Sequence, residues 1–405
     1  MKTSLSIEQL KEAATLYGTP LYVYDADKIA SQYQNLLLHF LSDTTRFFYA
    51  CKSLTNIHVL NVIKNLGCNI DCSSINEVKL ALHVGFLPQN ILYTSNSVGF
   101  DEITEAVQLG INVNIDSLSN VEKFGAKFGN SFPVGVRIRP NVMAGGNLKI
   151  STGHDKSKFG IPVTQLTELK AIQEKYNLNI TTLHIHTGSE IKDVSVFMQS
   201  ADVFENMLEQ FPTVHILDFG GGFKVPYKPN ELGTDIAALG EAVNAFMKKM
   251  TQKTGRPLTA WFEPGKYMVS EAGFFIAKVN VLKQSGDIIF AGVNTGLNHL
   301  IRPMFYDAYH HIINISNPNG PLMHYAVVGN ICETDTFAWD RKIASIKEDD
   351  LLVFLNAGAY GYEMASNYNS RYKPAQVLFE KGVSKLISRA DTFEDLLNLQ
   401  VPLTK

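Results

Sequence analysis

Cysteine is scarce in this chain: only Cys51, Cys68, Cys72 and Cys332 occur among 405 residues. A disulfide-stapled secreted scaffold is thereby excluded. Cys68 and Cys72 flank a short apolar run, and no second cysteine or histidine pair stands at zinc-site spacing. No metal site is expected, and reduced thiols in a cytoplasmic protein are. Charge of one sign is lacking too. The 36 Lys+Arg nearly balance the 39 Asp+Glu, for a net charge of -3, and no long basic run appears. That argues against nucleic acid or an anionic membrane as the main partner. No stretch approaches the roughly 18 apolar residues needed to span a bilayer. The first residues, MKTSLSIEQLKEA, lack the apolar centre of a secretory signal, so none is expected. Low-complexity segments and flexible linkers are absent as well.

What is present suits a globular enzyme. Hydrophobic residues make up 45% and charged residues 19%, enough for a substantial core. The length favours one large domain plus a smaller one. Ser6 with Gln9 reads as a capping box that opens a first helix, and Gly18 as its stop. After the strand-like TPLYVYD a unit repeats: a short apolar run, a loop, then an amphipathic helix. The runs are RFFYA (46–50), CNIDC (68–72), ILYTS (91–95), NVNID (112–116), VGVRIR (134–139), TLHIH (182–186), HILDFG (215–220) and TAWFEPG (259–265).

Helix signals lie between them. NIHVLNVIKNL stops at Gly67, Ser74 and Glu77 read as a second capping box, and Pro162 suits the first turn of the helix before TLHIH. Strand–helix alternation of this kind means parallel strands with crossover helices. Eight such strands over roughly 220 to 250 residues predict a closed (β/α)8 barrel. HDKSKFG (154–160) reads as a polar loop after the fifth strand. Beyond Glu263 the runs KVNVLKQ, IIFAGV, HYAVVGNI, DLLVFLNAG and AQVLFEKG are short, β-rich and separated by turns. The expected division is a barrel over 27–266 and a mainly β domain from 1–26 with 267–405.

Barrel enzymes place their active groups at the C-terminal ends of the strands. There the sequence puts Lys52 after the first run and His186 at the end of the sixth. Gly220–Gly221–Gly222 follows the seventh, and Glu263 with Lys266 closes the eighth. Glycines after the seventh strand let backbone N–H groups approach an anion, so a phosphorylated ligand is expected near Gly221 and Gly222. Each residue has an ordinary reading: a solvated lysine, a tight turn, barrel histidines at 184 and 186, a structural acceptor at Glu263. Their convergence on one end of the barrel is what points to a barrel enzyme with a phosphate-bearing ligand.

The segments FYACKSLTN, LHIHTGSE, LDFGGGF, WFEPGK, LIRPMFYDAYH, VVGNICETD and NAGAYGYEMASNYNSR come in one order over nearly the whole chain. In this the chain resembles the fold-type III pyridoxal-phosphate-dependent decarboxylases, specifically the diaminopimelate decarboxylase family. The resemblance implies that meso-2,6-diaminopimelate is decarboxylated to L-lysine and carbon dioxide, the last step of lysine biosynthesis. It implies that Lys52 links covalently to pyridoxal 5'-phosphate, that His186 lies against the ring, and that Ser189, Gly221, Gly222 and Tyr360 hold the phosphate. Glu263 would keep the ring nitrogen protonated, with Pro264, Gly265 and Lys266 completing the cofactor site. Cys332 would reprotonate the substrate carbon. Arg302 and Tyr306 would take the distal carboxylate and Glu333 the distal amine, with Lys266 and Tyr360 also on the substrate. The family's cysteine enters from the other subunit, which implies a homodimer with shared sites.

Two departures stand out. The usual arginine is Lys266 here, which keeps the charge but loses the planar fork. CETDTF replaces the commoner CESGD, and Asp335 receives no role. The alternatives are a decarboxylase of the carboxynorspermidine or ornithine type, a barrel-type racemase, a non-catalytic relative, or an unrelated sugar-phosphate barrel. Arg302 and Tyr306 favour diaminopimelate, and Cys332 with HIHTGS favours decarboxylation.

Overall fold

The computed structural model describes residues 3–140 and 157–401, and the chain forms two compact units. The expected polar loop at 154–160 lies partly outside the described residues. One unit comprises Ala30–Val225 and Leu232–Met268; the other comprises residues 3–29, Pro226–Glu231 and 269–401.

The first strand, β1 (Leu21–Asp25), belongs to the second unit. The first unit is built on β2 (Thr45–Ala50), β3 (Asn69–Cys72), β4 (Ile91–Thr94), β5 (Asn112–Ile115) and β6 (Val134–Arg139). After the two-residue β7 (Ile161–Pro162), which pairs with β6, come β8 (Ile180–His184), β9 (Ile216–Asp218) and β10 (Thr259–Phe262). Apart from β7, each strand pairs in parallel with the next, and β10 pairs back onto β2. The ring is the predicted closed eight-stranded barrel. Its strands are nearly continuous apolar runs because both faces are covered, with helices outside and side chains within. Phe48, Leu92 and Trp261 fill part of the interior, each contributing about 1.5–3 kcal/mol by burial.

Local signals were mostly realised, with instructive exceptions. Asn56 caps helix Ile57–Asn65, which stops before Gly67 at φ 80°. Ser74 Oγ accepts the Glu77 N–H at 3.2 Å, but the Glu77 carboxylate takes the N–H of Ser73 rather than that of Ser74. Half of the expected box is therefore redirected one residue back. Pro162 does not open its helix. It pairs with Arg139 as β7, a 3-10 turn follows, and the helix runs Leu166–Tyr176. The sixth predicted run also ends early: β8 stops at His184, leaving His186 two residues past the strand.

The second unit is mainly β, as expected. Its strands after β1 are β11 (Gly273–Ser285), β12 (Ile288–Val293), β13 (Ile312–Asn314), β14 (Leu322–Val328), β15 (Thr336–Ala344), β16 (Leu351–Phe354), β17 (Ala375–Glu380) and β18 (Val383–Ser388). The sheet order is β15-β14-β12-β11-β1-β17-β18, with β16 between β11 and β13. Alternate residues Leu21, Val23, Phe274, Ile276 and Val377 face one side. There they bury Leu10, Ala13 and Ala14 of helix Ile7–Tyr17. The predicted Ser6–Gln9 capping box and Gly18 stop set the ends of that helix; loss of the Ser6 cap would cost about 1 kcal/mol. Among the described residues no helix is long and apolar enough to cross a membrane.

Candidate active site

Strand register brings together polar residues that are distant in the chain. Arg137 of β6 pairs with His184 of β8, and His184 with Asp218 of β9. Ala50 of β2 pairs with Asp71 of β3, which places Asp71 beside Lys52 on the 3-10 turn Cys51–Ser53. Lys52 Nζ lies 3.7 Å from Asp71 and 3.4 Å from Ser73 Oγ. Glu263 is anchored just past β10, where its N–H donates to the Gly220 carbonyl at 2.8 Å. The Ala50 N–H donates to the Pro264 carbonyl at 3.2 Å, tying the first and last strands together at this end. Lys52, His186, the glycine turn and Glu263 therefore share one mouth of the barrel, as expected.

The electrostatics beneath that mouth are unusual for an interior. His184, Asp218, Asp71 and Glu263 are all buried, and Glu263 Oε1 has no hydrogen bond among the described residues. The nearest opposing group is His184 Nε2, at 3.4 Å. Burial pushes Asp71 well above the usual carboxylate range, reinforced by Glu263 and opposed by Lys52. Burial acts on Glu263 in the same direction, but the adjoining His184 and the Lys52 charge more than offset it and hold the carboxylate ionised. Burial and then the Arg137 charge drive His186 well below its ordinary value, so its imidazole is neutral. Its Nδ1 accepts the Gly221 N–H at 3.1 Å, which leaves the ring proton on Nε2.

The turn after β9 tolerates no side chains. A Cβ on Gly221 would press on the Glu263 carbonyl oxygen, and one on Gly222 (φ +105°) on the Gly188 carbonyl oxygen. Such a turn bares its backbone to an anion. Beside it, the buried Lys266 ammonium donates to Ser189 Oγ at 3.1 Å and to the Glu190 carboxylate. Lys266 follows Pro264 and Gly265 and opens the short helix Lys266–Val269. These residues fit pyridoxal phosphate on the structure's own terms. A glycine cradle suits the phosphate, and a lysine stands at the mouth. A buried, ionised carboxylate oxygen lacking a donor matches a protonated ring nitrogen.

The β unit holds the remaining predicted residues. Arg302 is buried, opening the helix Arg302–Tyr306. Its Nη1 donates to Tyr227 Oη and to His310 Nε2, both at 3.1 Å, and its guanidinium lies 4.9 Å from the Tyr227 ring centre. His310 Nδ1 in turn donates to the Leu355 carbonyl at 2.9 Å. No acidic side chain pairs with Arg302 among the described residues. Tyr306, half-buried, stands edge-on to Phe305. Cys332 and Glu333 are exposed and joined by Tyr368: its hydroxyl donates to Glu333 Oε1 at 2.8 Å and lies 3.8 Å from Cys332 Sγ. Hydrogen bonds to Glu333 and Cys332 push the Tyr368 phenol up to about 12. The Asn369 side-chain amide donates to the same sulfur at 3.1 Å. Tyr360 takes φ 57°, a costly left-handed conformation for an aromatic residue.

Asp71, Arg137, Glu190, Asp218, Tyr227, His310, Tyr368 and Asn369 were not singled out in the sequence. The one available signal was position: Asp71 and Asp218 lie near the ends of predicted runs, and Tyr368 and Asn369 lie inside NAGAYGYEMASNYNSR.

Taken together, the closed barrel, the lysine at its mouth, the glycine turn and the buried carboxylate define a pyridoxal-phosphate-dependent decarboxylase. Residues 26–270 match the family model described as "Pyridoxal-dependent decarboxylase, pyridoxal binding domain". The chain is 37% identical to diaminopimelate decarboxylase of Methanothermobacter thermautotrophicus, over 96% of this chain and 93% of that one. It is 31% identical to the Escherichia coli K12 enzyme of the same name, over 98% of each. The crystal structure of Helicobacter pylori diaminopimelate decarboxylase complexed with L-lysine superposes with a TM-score of 0.88 at 29% identity, covering 96% of this chain and 99% of that one. The chain belongs to the diaminopimelate decarboxylase family.

Proposed function

We propose that this chain decarboxylates meso-2,6-diaminopimelate to L-lysine and carbon dioxide, the last step of lysine biosynthesis. The observation that supports this substrate is Arg302, a buried guanidinium held by two uncharged groups and paired with no acid among the described residues. A buried cation without a counter-charge is costly, and a substrate carboxylate at the far end relieves that cost. Ornithine, with only an amine there, does not.

When bound, pyridoxal phosphate supplies a protonated ring that draws off the electron pair left at Cα as carbon dioxide departs. Lys52 carries the cofactor, Glu263 holds the proton on the ring nitrogen, and His186 supports the ring as a neutral imidazole. Ser189, Gly221, Gly222 and Tyr360 bind the phosphate, with Pro264 and Gly265 bringing Lys266 to Ser189. Arg302 and Tyr306 take the distal carboxylate, Glu333 takes the distal amine, and Lys266 and Tyr360 also meet the substrate. The Cys332 thiol returns a proton to Cα. In this reading residues 27–266 form the cofactor domain, and 1–26 with 267–405 the mainly β domain. The protein is a cytoplasmic homodimer, and each Cys332 serves the site of the partner subunit.

The test is to incubate purified protein and pyridoxal phosphate with meso-diaminopimelate, and separately with ornithine, following lysine and carbon dioxide. Equimolar lysine and carbon dioxide from diaminopimelate alone is expected. Turnover of ornithine alone would overturn the substrate assignment, and turnover of neither would overturn the reaction.

A further inference from the structure

Asp218 has no part in the chemistry above, yet it is wholly buried at the end of β9. It is in register with His184, and polar atoms of Asp218, His184 and Glu263 lie within 4.8 Å of one another. Its Oδ1 accepts the Gly220 N–H at 2.9 Å, and its Oδ2 the Asn114 side-chain amide at 3.4 Å. We propose that Asp218 works as a neutral carboxylic acid sharing its proton with Glu263, a positioning residue that locks the glycine turn to the carboxylate facing the cofactor ring. The proposal rests on the reading of Glu263 given above.

Charge in this interior does not balance if every carboxyl ionises. Three buried carboxyls, Asp71, Asp218 and Glu263, face two cations, Lys52 and Arg137. Arg137 also answers to Asp116, and both nearby imidazoles, His184 and His186, are driven neutral by burial. Ionising all three carboxyls would therefore bury net negative charge, which the interior does not tolerate. At least one must keep its proton. Asp71 has Lys52 at 3.7 Å, and Glu263 has both Lys52 and Arg137 acting on it. The cation acting on Asp218 is Arg137, whose charge acts more strongly on Glu263, Asp116 and Asp71. Burial and the Glu263 carboxylate both favour its protonated form, against the pull of the Gly220 N–H. Two carboxyls this close in a buried site hold one proton between them, and it stays on the member with less cationic support.

The arrangement has a use. A protonated Asp218 donates to Glu263 without adding negative charge, so Glu263 keeps a single charge for the ring nitrogen. The other Asp218 oxygen accepts the Gly220 N–H, so the ring-nitrogen contact and the phosphate turn are set by one side chain.

Asp218→Asn and Asp218→Ala test this. Asparagine keeps the shape, can donate to Glu263 and accept from Gly220, and cannot ionise. Isotope-edited infrared spectra of aspartate-labelled protein at neutral pH, with and without cofactor, should show a protonated-carboxyl band that Asp218→Asn removes. Pyridoxal phosphate affinity should stay within about threefold in Asp218→Asn and fall roughly tenfold or more in Asp218→Ala, which loses a hydrogen bond to a charged group. An unchanged band in Asp218→Asn, or affinity as weak as in Asp218→Ala, would overturn the proposal. Should Asp218→Ala fail to fold, the band in Asp218→Asn still decides. A wild type that binds no cofactor would instead sink the reading of the site, while the band in the cofactor-free protein still reports the proton.

Discussion

Replacing Arg302 by methionine separates recognition of a carboxylate from stability of the fold. The carboxylate assigned to Arg302 is the one that survives into the product, so L-lysine itself is the binding probe. Truncating one partner of a buried, hydrogen-bonded charge pair costs about 3–5 kcal/mol, on the order of 10²- to 10³-fold in Kd. Without ligand the same substitution should be mild. Arg302 is only 5% exposed and carries no acidic partner among the described residues, so an apolar side chain of similar length removes a buried charge. Of its two acceptors, Tyr227 keeps Ser270 Oγ at 2.7 Å and His310 keeps the Leu355 carbonyl at 2.9 Å. The unmet His310 Nε2 sets a cost of about 1 kcal/mol. Isothermal titration with lysine on the cofactor-loaded protein measures the first quantity, and urea unfolding of the cofactor-free protein the second. Lysine binding within about threefold of wild type would remove Arg302 from carboxylate recognition, as would a collapse of stability with affinity intact.

Lys52→Ala should abolish covalent cofactor linkage after borohydride reduction; a reduced adduct on another lysine would remove Lys52 from its role. Cys332→Ala should retain bound cofactor yet lose most turnover, and mixing it with Lys52→Ala subunits should restore partial activity if sites are shared. No recovery in verified heterodimers would count against sharing. Burial holds His299 down to about 4 from an ordinary 6.5, so the fold accepts its neutral form. The stability this provides is present above pH 6.5 and is lost as pH falls towards 4, about 3 kcal/mol in all. His299→Gln should flatten that part of the urea-midpoint profile; parallel profiles would show that other groups dominate.

The barrel was readable because a parallel strand covered on both faces is written as an apolar run, and each run here is followed by a helix-period segment. The glycine turn and the strand-end residues Lys52 and Glu263 were readable because barrel topology dictates where strand ends meet. Boundaries were less secure where two local signals competed. Pro162 suits a helix start, but Ile161 and Pro162 extend the edge of β6. Glu77 suits a capping box, but its carboxylate takes the Ser73 N–H instead.

Chain order alone carries the strand–helix repeat, the mainly β second unit, the residue types at the barrel mouth and the motifs of the family. Periodicity and chain order encode these within a few residues of each position. Only the tertiary structure decided which charges share an interior. Asp71, Arg137, His184, Asp218 and Glu263 come from strands and strand ends up to 192 positions apart, and closure and register of the sheet place them in one buried region. Arg302 likewise became informative only once its burial and its uncharged partners were known, because a guanidinium acquires a need for an anion from its surroundings, not from its neighbours in the chain.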